Sequence, residues 1–308
     1  MTDRKISGVI TPLLTPFEDD RSLAADLYVG HARWVLDQGA HVLAPFGTTG
    51  EATSVPRRDR MAALEALIDG GIAPDRLMPG TGLCALEETL ELTRHAVEAG
   101  CAAVMVLPPF FYVNAADDGL YRYFSALIEG IASSALRICL YHIPPMTRIG
   151  FSPALAARLN AAFPETVIAI KDSSGDWNNT RALLEEAPGL AVFPGSETYL
   201  RRALEAGGAG CISATCNINA ARIREVYELC AGGGSSKLDR LDEAMRSLRR
   251  TVESAGNIPA MKAILAVRSG DRRWLNLRPP LVSTSLEHGR ALIERLGGTV
   301  DHIAAAAA

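Results

Sequence analysis

Eight short runs of apolar and β-branched residues recur along the first 230 positions, and between them the apolar spacing changes to that of a helix. The runs are 8–11, 41–46, 77–80, 102–107, 137–143, 167–171, 191–194 and 210–214. Between them Leu27, His31, Trp34 and Val35 form one helical stripe. Met61, Leu64, Leu67 and Ile68 form a second, with Ser54 as its expected N-cap and Pro56 in its first turn. Leu120, Phe124, Leu127, Ile128 and Ile131 make a third, and Ile223, Val226 and Leu229 a later one. Strict strand-helix alternation calls for parallel strands joined by right-handed crossovers, and eight such units close an α/β (β/α)8 TIM barrel. An open doubly wound sheet is the alternative, but no GxGxxG follows the first strand.

After Cys230 the pattern changes. AGGGSS at 231–236 breaks it, and helical spacing resumes over 238–252, over 258–267 near Pro259, and over 286–296. The expected organisation is therefore a barrel domain over 1–230 and a C-terminal helical extension over 231–308, packed on the barrel and ending in a low-complexity alanine run at 304–308.

A net charge of −4 gives no basic stripe for nucleic acid. The six cysteines form no CxxC pair, Cys139 and Cys211 lie inside strand runs, and the expected setting is a reducing cytoplasm. The N-terminus has no apolar signal core, and no uninterrupted apolar stretch reaches the ~20 residues of a membrane span.

The chain has four lysines, Lys5, Lys171, Lys237 and Lys262, and Lys171 alone follows an apolar strand run, in VIAIKDSSGD at 167–176. Taking an ammonium out of water disfavours its charged form and leaves the free amine that attacks a carbonyl to make a Schiff base. A structural ion pair with Asp172 is the competing reading. The second strand runs into Gly47, Thr48, Thr49, Gly50 and Glu51, a turn whose N–H groups and hydroxyls suit a small carboxylate. A phosphate cradle or a plain glycine turn remains open there. Tyr141, near the tip of the strand before that of Lys171, places a phenol about 4.8 Å away across the sheet, where it can shuttle protons or simply cap the barrel. Strand alternation turns His142 to the other face.

As a set, GTTGE, the strand ending in Tyr141 before Pro144 and Pro145, and IKDSSG resemble the dihydrodipicolinate synthase and N-acetylneuraminate lyase superfamily of pyruvate-dependent lyases. GVITPLLTPF at 8–17, GGAGCISATCN at 207–217 and AGNIPAMKA at 255–263 extend the resemblance over almost the whole chain. It implies that Lys171 forms the Schiff base, that Tyr141 is the general acid/base with Thr48 as its hydroxyl partner, and that Gly47 and Thr49 hold a pyruvate carboxylate. It further implies that Ile212 lines the pocket. No metal or organic cofactor is implied, and the assembly expected is a homotetramer built from two tight dimers.

Two positions depart from the synthase pattern. Met146 stands where synthases carry the arginine for the carboxylate of aspartate semialdehyde, with Arg148 two residues further on. Phe111 stands where they carry the second of two tyrosines. The expected activity is a class I lyase joining pyruvate or another 2-oxo acid to a small aldehyde, or cleaving or dehydrating a 2-keto-3-deoxy acid. A true 4-hydroxy-tetrahydrodipicolinate synthase is the alternative, and a catalytically inactive binding or regulatory barrel is the alternative of another class.

Overall fold

The computed structural model describes residues 6–232 and 236–297, so the alanine run at 304–308 and half of the 231–236 break lie outside the described residues. The chain opens with β1 (Gly8–Thr11), α1 (Ala25–Asp37), β2 (Val42–Leu43), α2 (Arg57–Asp69), α3 (Leu86–Glu98), β3 (Val104–Val106) and α4 (Asp117–Ile131). It continues with β4 (Ile138–His142), α5 (Pro144–Thr147), α6 (Pro153–Ala162), β5 (Val167–Asp172), α7 (Trp177–Glu186), β6 (Ala191–Pro194), α8 (Leu200–Glu205) and β7 (Gly210–Ile212). Four helices follow: α9 (Cys216–Ala231), α10 (Ser236–Ser254), α11 (Ile258–Ser269) and α12 (Leu286–Arg295). None of the helices is long and apolar enough to cross a membrane, among the described residues.

Two compact units divide these elements: one holds Ala73–Ile212 with the residues before Val9, and the other holds Val9–Ile72 with the residues from Ser213 onward. In the first, β3, β4, β5 and β6 form a parallel sheet in that order, each strand buried on both faces as the apolar runs require. Helices α3, α4, α6 and α7 return the chain between strands, and α6 and α7 open on side-chain caps: Ser152 accepts from Leu155 N and Asp176 from Asn178 N. The expected strand at 77–80 is reduced to one parallel bridge, Gly80 to Met105. Pro79 has no N–H to give, so the pairing there consists of Met105 N to Pro79 O and Thr81 N to Met105 O.

In the second unit β1 pairs in parallel with β2, Ile10 beside Val42 and Thr11 beside Leu43. Its core joins Leu14 to Ala214 and Ile218, to Leu248 and Val252 of α10, to Met261, Ile264 and Leu265 of α11, and to Trp274 and Leu292. Asn217, fully buried, ties three segments together: its Oδ1 accepts from Leu14 N and lies 2.9 Å from His31 Nε2, while its Nδ2 donates to Pro12 O and Ala214 O. Ser54 does not cap α2. It lies in a 3₁₀ turn whose exit passes through Val55 and Pro56 before the helix starts at Arg57, and its hydroxyl donates to Pro279 O.

Candidate active site

Parallel pairing of β4 with β5 sets Tyr141 beside Lys171 and His142 beside Asp172, so the two pairs occupy opposite faces of the sheet. On one face the Lys171 amine stands 4.2 Å from the centroid of the Tyr141 ring, and both residues are at least 95% buried. Among the described residues no carboxylate forms a salt bridge with Lys171, so the ion-pair reading of its burial does not hold. A cation over an aromatic face is stabilised by the ring quadrupole. The thiol of Cys139, two residues before Tyr141, is pushed up to about 12 by burial and stays protonated.

The other face explains why Asp172 leaves the lysine alone. Its Oδ1 accepts from Ser174 N at 2.9 Å and its Oδ2 from the Thr180 hydroxyl at 2.6 Å, which fastens the turn after β5 to α7. His142 Nδ1 accepts from Phe151 N at 2.9 Å, so the proton of the neutral ring sits on Nε2, 4.0 Å from Asp172 Oδ1. Burial holds that imidazole below the usual histidine range against the pull of Asp172. The backbone closes the arrangement: Ser173 N donates to His142 O and Gly195 N to Asp172 O. A Cβ at Gly195 would run into Ser173, so glycine is required at the end of β6.

In the same unit Ile212 is fully buried in β7. Met146 lies on the one-turn helix α5 and is 68% exposed, while Arg148 follows it in the left-handed region (φ 58°). Phe111 is 77% exposed and packs edge-on against Tyr112.

Gly47, Thr48 and Thr49 stand in the second unit, in the turn after β2. Phe46 (φ 58°) and Glu51 (φ 56°) bracket that turn, both in the left-handed region that non-glycine residues seldom enter. It is held by Gly50 N to Gly47 O, Glu51 N to Thr48 O, and the Thr15 hydroxyl to Gly50 O at 2.9 Å. A Cβ at Gly50 would stand 2.8 Å from Leu13 O. Thr49 is buried, and Thr48 is half-buried with a partner of its own.

Two clusters escaped the sequence. One is the His142–Asp172–Thr180 support. The other is a fully buried ion pair between Glu51 and Lys262, whose amine also donates to Asn276 O at 2.8 Å. Burial pushes Lys262 down to about 8 against the pull of the Glu51 carboxylate. A lysine inside the apolar run IPAMKAILAV, with a glutamate closing GTTGE, was the available signal.

Comparison with known proteins is consistent along nearly the whole chain. The model of the dihydrodipicolinate synthetase family matches residues 5–297. An uncharacterized DapA-like lyase of Chloroflexus aurantiacus is 33% identical over 288 residues, covering 92% of this chain and 94% of that protein. A 4-hydroxy-tetrahydrodipicolinate synthase of Agrobacterium fabrum is 29% identical over 280 residues, covering 90% and 92%. The crystal structure of dihydrodipicolinate synthase from Agrobacterium tumefaciens strain C58 superimposes with a TM-score of 0.86 at 34% identity, over 94% of this chain and 99% of that one. The fold class is thus the (β/α)8 barrel with a C-terminal helical region.

Asp172→Ala removes the acceptor of a buried hydroxyl and a backbone N–H, and is expected to destabilise the protein by about 2–5 kcal/mol. Asp172→Asn, which keeps an acceptor, should cost less. Urea unfolding measures both, and an unshifted midpoint for Asp172→Ala would refute the assigned support.

Proposed function

We propose a reaction for this chain from one premise: it belongs to the dihydrodipicolinate synthetase family. It is an enzyme, a lyase of the Schiff-base type. The residue roles that follow are our reading, and the observation that carries them is the buried Lys171 amine lying over Tyr141 with no carboxylate paired to it among the described residues.

Lys171 attacks the ketone carbon of pyruvate, and the carbinolamine loses water as Tyr141, with Thr48 as its hydroxyl partner, supplies a proton to the departing oxygen. Gly47 and Thr49 bind the carboxylate, and Ile212 lines the imine pocket. The Tyr141 phenolate left by that step takes a proton from the methyl carbon to give an enamine, which adds to the carbonyl carbon of an aldehyde while Tyr141 returns the proton to the new alkoxide. Water then hydrolyses the imine, releasing the product and the free amine. The same steps in reverse cleave a 2-keto-3-deoxy acid. Met146 and Phe111 favour such a partner over aspartate semialdehyde, since neither supplies a charge-assisted donor or a phenol. No metal or organic cofactor enters these steps. We further read 1–230 as the barrel and 231–308 as the helical region, the location as cytoplasmic and the assembly as a homotetramer. The exposed run Phe111, Tyr112 and Val113 supports self-association.

Borohydride added with saturating pyruvate is expected to reduce the imine to a stable amine, adding pyruvate to the peptide that carries Lys171 by mass spectrometry. An adduct on another lysine, or none, removes the assigned role of Lys171.

Steady-state kinetics address the second substrate. Without an arginine at Met146, aspartate semialdehyde should lose on the order of 10- to 100-fold in kcat/KM, the equivalent of one charged hydrogen bond. A kcat/KM of about 10⁴ to 10⁵ M⁻¹s⁻¹ would instead identify it as the native substrate and the chain as a 4-hydroxy-tetrahydrodipicolinate synthase.

A further inference from the structure

The Glu51–Lys262 pair joins two segments 211 positions apart in the sequence, inside the second unit. Glu51 uses both carboxylate oxygens: one meets the Lys262 amine and the other accepts from Arg278 N at 2.8 Å. Lys262 spends a second donor on Asn276 O and lies 4.6 Å from the centroid of the Phe17 ring, over which Arg278 also stands at 4.8 Å. Both charged side chains are at most 1% exposed.

Such a pair is a poor source of stability, because two desolvated charges give back in attraction about what they lost in hydration, and apolar side chains of similar volume fold as well. What an ion pair adds is a fixed geometry. Here the geometry concerns one backbone segment: Glu51 closes the turn that contains Thr48 and Thr49, its own N donates to Thr48 O, and it is held in the left-handed region that its side chain disfavours. Lys262, Asn276 O and Arg278 N together clamp the end of that turn.

We propose that Lys262 is a positioning residue for the substrate carboxylate, fixing the Gly47–Thr48–Thr49 turn in its binding geometry through Glu51. The proposal rests on the assignment of that turn to the pyruvate carboxylate. Lys262 touches neither substrate nor reacting atoms; it determines whether the turn's hydroxyls and N–H groups are preorganised before pyruvate arrives.

The test uses the exchange of pyruvate methyl protons for deuterium, which needs only the imine and enamine and no second substrate, followed by NMR on the full chain. The double variant Glu51→Gln/Lys262→Met removes both charges together, so that no lone charge is stranded in the core. We expect it to fold with a melting temperature within a few degrees of wild type and to raise the pyruvate KM for exchange by about 10-fold or more, with kcat within about 3-fold. Lys262→Arg, which keeps the charge, should retain a KM within about 3-fold of wild type. A folded double variant with unchanged KM overturns the proposal, and so does an unfolded one, which would assign the pair to folding alone. Borohydride trapping on the wild type separates the two levels of argument. A wild type that traps no pyruvate on Lys171 overturns the underlying assignment, whereas one that traps it beside a double variant of normal KM overturns the role of Lys262 only.

Discussion

An amine taken out of water must be given a partner, and the kind of partner decides what the amine can do. Lys171 ends a strand buried on both faces, and the structure meets it with the face of an aromatic ring rather than with a carboxylate. A carboxylate would tie the amine into an ion pair, whereas a ring face leaves its N–H groups without a charged partner. The rest of the first unit serves this choice. The register of β4 and β5 puts Tyr141 beside the amine, and the alternation that sends Asp172 to the opposite face gives its carboxylate to Ser174 and Thr180 instead.

Lys262 shows the opposite solution. It too is buried, but against Glu51, in a cage completed by Asn276 O and Arg278 N. Two buried lysines in one chain thus meet two different environments, an aromatic face and a carboxylate. Lys171 has no carboxylate partner among the described residues, and Lys262 spends two of its donors on Glu51 and Asn276 O.

The alternation of strands and helices was legible because a strand buried on both faces has to be continuously apolar, and 8–11 and 191–194 end where the chain itself meets turn residues. Lys171 and Tyr141 were legible for the same reason, as polar side chains at the ends of such runs. Local chemistry set the limits. Pro79 cannot donate to a ladder, so 77–80 pairs through a single bridge. Phe46 turns into the left-handed region and shortens the second strand to Val42–Leu43, a conformation that its side chain does not announce. The supports of the site were hidden because they depend on contacts far apart in sequence. Glu51 and Lys262 lie 211 positions apart, and Asp172 reads as the neighbour of Lys171 until the register shows that they face apart.

The central claim is that Lys171 is the residue that joins covalently to a 2-oxo acid while the threonine turn holds its carboxylate. A crystal structure of the protein with pyruvate tests it most directly. The account predicts continuous density from the Lys171 amine to the ketone carbon of pyruvate, with the carboxylate on Thr48 and Thr49. Pyruvate bound without a covalent link, or joined to another lysine while the Lys171 amine stands free, would contradict it.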